Sequence, residues 1–406
     1  SSGVYLTTGG QSREKMDKSA IKSQMVFGAM YQSMMAVVIV MLAGFMRTNE
    51  ERLFIIVMTA IYMVIQNLAT FMMNELQCMN ETKKSSYSTI VERLAFLVPL
   101  IVFLALRVDV FYPYVFAFTA STLAQLAYCA WNLRDFWSAP WLGIRRAARL
   151  GINSIKIGFP MMLANIMSML ILGIGRFFID AEWGIETFGK LSLALSLVGF
   201  FLAFVGQASM VLFPSLRQAS SREVRTFYQC ARDAMGLLFP GVYLLYFPIA
   251  WLLSRWLPDY ASTFVYLIFL LPICVFDSKF NITGVTYYNV LRRERVMLVV
   301  NAAAVGLSLL FTVLSVYILN SVLAVIATMS FVVITRSVWS ERFMNRTVGV
   351  AAGSIGAAEL VLTIEFVLIA YMFPSSVAFI IYMISYALYL LVFRRDLAKT
   401  VSRLNA

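Results

Sequence analysis

The sequence predicts an all-α, polytopic membrane protein with about 12 transmembrane helices. Three observations carry this. The 406 residues are 61% hydrophobic and only 13% charged, with a mean hydropathy of +0.79, whereas an average soluble chain is roughly 25% charged. Apolar runs recur along the whole chain, each long enough for the roughly 20 helical residues that cross ~30 Å of hydrocarbon. The polar links between those runs alternate between rich and poor in Lys and Arg. Within hydrocarbon every backbone polar group must be satisfied internally, and runs of this length do so as helices.

The spans are placed near 22–45, 53–77, 87–106, 110–131, 153–178, 187–213, 232–254, 261–290, 296–315, 319–338, 348–371 and 376–393. The chain opens SSGVYLTTGGQSREKMDKSAIK, which is polar and basic and has no apolar h-region. It reads as a loop between helices rather than a signal peptide, as if an N-terminal piece preceded it. Span 1 contributes Gln24, Tyr31 and Gln32. Span 2 carries Tyr62, Gln66, Thr70 and Asn74 at steps of four, with Asn67 beside them. That spacing places them on one helical face, which suits either a cavity wall or interhelical hydrogen bonding.

The link from Asn132 to Gly151 holds Pro140, Trp137, Trp141 and the basic run WLGIRRAARLG. Its composition fits an interfacial amphipathic segment, and equally a linker between two lobes. Spans 5 and 6 follow as a hairpin from Ile152 to Pro214 around the polar stretch AEWGIETFGK. Pro160 lacks a backbone donor and restricts Phe159, so it fits a kink or the first turn of a helix, and Pro214 fits the end of the second span. Arg176 stands one turn before Asp180. It either pairs locally with that acid or faces inward as a cation.

Span 8 is the most informative. Lys279 is followed by about 18 Å of helix before Leu291, which places its ammonium near mid-membrane. Asp277 is two positions away and so cannot pair with it along the helix. Lys279, Thr283, Thr286 and Tyr287 make one polar stripe; Asp277, Asn281, Gly284 and Tyr288 make another. Ionisable groups within a span face protein or water rather than lipid, so the span borders either a wet cavity or polar partners on other helices. In span 11, Gly349, Gly353 and Gly356 favour close helix packing. Glu359 and Glu365 lie on different faces and suit helix–helix hydrogen bonds better than substrate contact.

Links expected on the cytoplasmic side carry 26 of the 33 basic residues, against 6 on the opposite side. The positive-inside rule then places both termini in the cytoplasm. The same rule accounts for the net charge of +12 without a nucleic-acid partner. There is no histidine, which removes the Ser-His triad and the commonest metal ligand. The four cysteines are widely spaced in apolar surroundings and read as packing residues, with no metal site. No phosphate-binding or nucleotide fingerprint is present.

Residues Gly158 and Pro160, Arg176, Gly189 and the helix end Pro214-Ser215-Leu216 resemble the polysaccharide transporter family of oligosaccharide flippases. That family shares a superfamily with the multidrug and toxin extruders. Where many relatives have an acid before the arginine, this chain has Gly175. The resemblance implies two six-helix lobes joined on the cytoplasmic side and followed by two appended helices. Mapped here, residues 1–133 form a four-helix N-terminal lobe lacking the first two helices, and 134–151 the basic linker. Residues 152–345 form the six-helix C-terminal lobe, and 346–406 the appended pair with a basic tail. A complete twelve-helix transporter divided differently is the alternative.

The function so implied is not enzymatic. It is the flipping of an undecaprenyl-pyrophosphate-linked oligosaccharide across the bacterial inner membrane for polysaccharide biosynthesis, with polysaccharide assembly proteins as further partners. In that reading Arg176 and Lys279 attract the anionic head of the lipid-linked substrate. Asp277, Asn281, Tyr62, Gln66 and Asn67 complete the cavity, and Gly158 and Pro160 form a hinge. No cofactor is expected; a coupling cation is left open. A multidrug extruder of the same superfamily is the nearest alternative, kept by the acids Asp277 and Glu359. A membrane oligosaccharide polymerase or ligase is the other, disfavoured by short external links and the absence of histidine.

Overall fold

The computed structural model describes residues 16–45, 50–79, 81–256, 258, 263–351, 353–396 and 398–399. The opening loop up to residue 15, with Arg13 and Lys15, lies outside the described residues, as do Arg47 and the tail from residue 400 that contains Arg403. The described residues are mostly helical, with no strand among them.

In chain order the helices are α1 (Lys18–Phe45), α2 (Glu50–Cys78), α3 (Thr82–Ala105), α4 (Tyr112–Asn132), the single turn α5 (Arg134–Trp137), α6 (Ile144–Gln218) and α7 (Ser221–Leu238). A 3₁₀ stretch (Phe239–Leu245) leads to α8 (Tyr246–Trp256) and α9 (Thr263–Lys279). A π-helical turn (Phe280–Val285) then joins α9 to α10 (Thr286–Val290). The chain closes with α11 (Glu294–Tyr317), α12 (Val322–Val348), α13 (Ile355–Met372) and α14 (Ser375–Val392).

Among the described residues ten helical stretches are long and apolar enough to cross a membrane. The expected count of about 12 differs for two local reasons. Spans 5 and 6 run together as one stretch, Ile144–Gln207. Helix α4 stays outside the ten because Thr119, Ser121, Thr122 and Gln125 interrupt its apolar character; all four are buried. The stretch AEWGIETFGK is therefore not a free loop. It is helical on both sides of Gly184, whose φ of 78° and ψ of 179° break the helix. Only glycine adopts that backbone without strain.

Helix α6 also corrects the reading of its prolines. The chain is helical through Pro160 and Pro214, and α6 continues to Gln218. Pro160 thus sits in the helix interior rather than in the first turn, where it removes one i→i−4 hydrogen bond.

The chain divides into two compact units, residues 1–159 and 160–406. In the first, α4 packs on α2 and α3, and α1 packs on α2. Met72, Leu76, Cys78, Cys129, Leu133 and Phe136 form its buried core. The Asn132–Gly151 link is fastened to α1. Lys22 Nζ donates to the carbonyls of Trp137 (2.6 Å) and Ala139 (2.8 Å), Lys18 pairs with Asp135 at 2.9 Å, and Ser154 Oγ donates to Gln24 at 3.1 Å.

In the second unit α9 is central: the stretch Thr263–Val290 is the most buried of the ten. It packs chiefly on α12, and also touches α7, α8 and α13. Helix α11 is tied to α6 by Asn301 donating to the Ala164 carbonyl (2.8 Å) and Ser308 to that of Ile171 (2.8 Å). Pro240 interrupts the helical ladder of α7, and α14 repairs it. Tyr389 donates to the carbonyl of Gly236 (2.8 Å), Tyr386 to that of Leu237 (3.1 Å) and Tyr382 to that of Pro240 (2.9 Å). The tyrosines recur at steps of four and three, which places them on one face of α14.

Candidate functional site: a buried charge cluster on α9, α12 and α13

Span 8 supplies two opposite charges, and neighbouring helices answer each. Lys279, at the end of α9, is 2% exposed. Its Nζ lies 2.6 Å from Glu359 Oε2 on α13 and 2.8 Å from Glu341 Oε2 on α12. Asp277 points elsewhere and pairs with Arg336 of α12. The Arg336 guanidinium also donates to Ser168 Oγ (2.7 Å) and covers the Phe280 ring at 4.1 Å. A third cation, Arg232 of α7, donates to Asn345 Oδ1 (3.0 Å) and the Ala351 carbonyl (2.9 Å), and pairs with Asp233 at 2.8 Å. Arg232, Asp233, Lys279, Glu341, Gly353, Ile355 and Gly356 line a narrow crevice beside the cluster.

The charges do not balance. Arg336 with Asp277 and Arg232 with Asp233 are neutral pairs, whereas Lys279 faces two carboxylates. Removing ions from water costs several kcal/mol each, and the pairs offset this by attraction at close range. The cluster is a site whose ionised form carries one surplus negative charge. A surplus carboxylate attracts a cation more readily than an anion.

The π-helical turn sits directly after this cluster. It places the Thr286 backbone N–H on the Asn281 carbonyl, five residues back. It also brings Thr286 Oγ1 to the same carbonyl at 3.1 Å. One residue of extra winding rotates the turns that follow, although Asn281 still meets Asp277 and Thr283 Oγ1 still donates to the Lys279 carbonyl at 2.7 Å. Such turns are frequent at functional sites. Gly284 lets α12 come close: a Cβ there would lie 2.8 Å from Ser340 Oγ.

The other expected site residues are dispersed. Asn281 donates back to Asp277, to its carbonyl at 2.9 Å and its carboxylate at 3.1 Å. Arg176 and Asp180 are both exposed, and no ion pair joins them among the described residues. In the first unit Tyr62 stacks on Phe118 with ring centroids 4.9 Å apart. Gln66 donates to Thr70 Oγ1 at 3.4 Å, and Asn67 to the Met63 carbonyl at 2.8 Å. These three serve their own helix or its neighbour in this conformation. Gly158 is buried within α6, next to the division between the two units at Phe159 and Pro160. Glu341, Arg336 and Arg232 were missed as site residues because each lies at the basic end of a span, where the charge pattern reads as a solvated link.

Comparison with known proteins decides the family. Residues 10–220 match the model of a family described as polysaccharide biosynthesis protein. The chain belongs to that family. The match covers α1 to α6, including the hairpin from Ile152 to Pro214 on which the resemblance rested. The charge cluster lies almost wholly beyond it. No curated protein sequence matches the chain. Among solved structures, a mutant of the MATE transporter VcmN of Vibrio cholerae is similar with a TM-score of 0.65 at 14% identity, over 87% of this chain and 85% of that one. The same transporter in its bent form gives 0.61 at 14% identity, over 85% of each chain. This polysaccharide biosynthesis family member is a multi-pass, all-α membrane protein with a MATE-type exporter fold.

Proposed function

We propose that the protein moves a lipid-linked oligosaccharide, of the undecaprenyl-pyrophosphate type, across the bacterial inner membrane for polysaccharide assembly. The observation that carries this reading is the match of residues 10–220 to a polysaccharide biosynthesis family, in a chain with a transporter fold. A glycan on an amphiphilic carrier needs such a fold to pass hydrocarbon. The alternation of basic links supports cytoplasmic termini.

The charge cluster modifies the expected route. Lys279 is occupied by Glu341 and Glu359, so it reaches an anionic head only when those pairs open. Arg176 is exposed and needs no such step. Alternating access would then exchange the partners of Lys279 while the two lobes rock about the Gly158–Pro160 stretch. The test is transport of a fluorescent lipid-linked oligosaccharide in proteoliposomes, alongside the leaflet distribution of the native lipid in cells lacking the protein. Accumulation on the inner leaflet supports the reading. Normal flipping with loss of polymerisation instead points to a polymerase or ligase.

One observation favours a second reading. The surplus carboxylate beside Lys279 suits an organic cation, as a multidrug extruder requires. Increased sensitivity to cationic drugs, with normal surface glycan, would select that reading.

A further inference from the structure

The start of α6 carries two adjacent stripes with different chemistry. Ile144, Ile152 and Ile155 are 58%, 48% and 53% exposed and share one face, since they are separated by eight and three residues. Arg145, Arg149 and Lys156 each follow one residue after a position of that face or one turn from it, and all are exposed. Arg146 extends the basic edge. Among the described residues none of these four cations takes part in an ion pair or side-chain hydrogen bond, whereas nearby Lys18 and Lys22 are committed to Asp135 and to two carbonyls. Trp137 and Trp141, each 42% exposed, flank the helix start, and tryptophans of this kind settle at the headgroup level of a bilayer.

The two tryptophans set the depth: with their rings at the headgroup level, Arg145, Arg146 and Arg149 begin the helix at that layer and the isoleucines run on toward the acyl chains. A guanidinium beside an apolar stripe can bind a lipid phosphate by paired charge-assisted hydrogen bonds while the acyl chains lie along the isoleucines. A free phosphate would find only the first half of that site. We propose that this face, Arg145, Arg146, Arg149 and Lys156 beside Ile144, Ile152 and Ile155, is a binding surface for anionic phospholipid headgroups. It depends on the membrane-spanning fold and is independent of what the protein transports.

The test uses the full chain, purified and reconstituted in mixed phosphatidylglycerol and phosphatidylcholine nanodiscs, with the retained lipid measured after detergent extraction. Wild type should retain phosphatidylglycerol preferentially. Arg145→Gln/Arg146→Gln/Arg149→Gln should reduce that preference at least tenfold, since each basic residue at an anionic surface is worth about a fivefold factor. The Arg→Lys version of the same triple should keep most of it and also controls for folding. Arg292→Gln/Arg293→Gln/Arg295→Gln, in a different basic link, should leave it intact. An unchanged preference in the glutamine triple would overturn the assignment, as would equal loss in the lysine triple or in the control triple. Displacement of the lipid by millimolar inorganic phosphate would mark a free-anion site and overturn it too.

Discussion

Lys279 of α9 and Glu359 of α13 are 80 residues apart in sequence, yet their side chains meet at 2.6 Å with both almost fully buried. The pair fastens the penultimate helix to the central helix of the second unit. Glu341 joins from α12 at 2.8 Å, so one ammonium holds three helices together.

Lys279→Ala should therefore act first on stability. It leaves two carboxylates facing each other without a cation, and breaking a buried pair from one side costs about 3–5 kcal/mol. The expected outcome is a marked fall in membrane abundance and in melting temperature. Lys279→Met/Glu359→Met should recover much of the loss, because an apolar pair of similar volume needs no desolvation. Equal destabilisation by the single and double variants, measured by thermal melting in detergent, would refute the coupling.

Much of this was legible in the sequence, and the boundary is physical. The intramembrane position of Lys279 and Asp277 followed from counting residues inside an apolar run. That neither could pair with the other followed from their two-residue spacing. What did not follow was the identity of the partners, since Arg336 and Glu341 sit where a span gives way to a basic link. Depth in the membrane is a local property, but burial against another helix is not. The π-helical turn after Lys279 was equally silent, because Phe280–Val285 has no residue type that demands it. Gly184, by contrast, sits between two apolar runs where a break was expected; only the short extent of that break was unforeseen.

The tyrosine ladder of α14 offers a second test. Tyr389 donates to the Gly236 carbonyl, the acceptor that residue 240 would satisfy in a regular helix if it were not proline. Tyr389→Phe should cost about 1 kcal/mol, the net worth of one hydrogen bond. In a Pro240→Ala background the same substitution should cost measurably less, since an alanine at that position regains the backbone donor. A double-mutant cycle by thermal melting reads the coupling directly; additive losses would show that the proline is unrelated to the ladder.

Topology can be checked at two positions, one on each expected side. By charge alternation the link containing Ser138 is expected on the cytoplasmic side and Trp183, next to the Gly184 break, on the other. The native cysteines at 78, 129, 230 and 274 are buried and form no disulfide with one another, so replacing them by alanine or serine gives a clean background. Ser138→Cys should then be protected from an impermeant reagent in intact cells, and Trp183→Cys should react. Reaction at both positions would overturn the assignment.

The last prediction concerns the approach of the π-helical turn to α12. At Gly284 a methyl group would lie 2.8 Å from Ser340 Oγ and 3.1 Å from a Phe280 ring carbon. Both separations are shorter than an ordinary carbon contact, so the Ser340 and Phe280 side chains, or the helices that carry them, have to shift. Forcing extra volume into a packed site typically costs about 1–3 kcal/mol, and Gly284→Ala should lower the melting temperature accordingly. Gly284→Val should be worse, because its second branch has no free direction. Ser340→Ala removes the nearer obstacle while leaving the helix intact, so Gly284→Ala/Ser340→Ala should recover part of the stability lost by Gly284→Ala alone. The Phe280 contact stays in place in that double variant, which is why recovery should be partial. The same site also separates packing from transport. The clash lies within the π-helical turn and one turn beyond Lys279, so Gly284→Ala should weaken the Lys279–Glu359 pair only through movement of α12. Coupling between Gly284→Ala and Glu359→Gln in melting experiments should consequently be smaller than between Lys279→Met and Glu359→Met. A larger coupling would mean that the turn and the charge cluster move as one element.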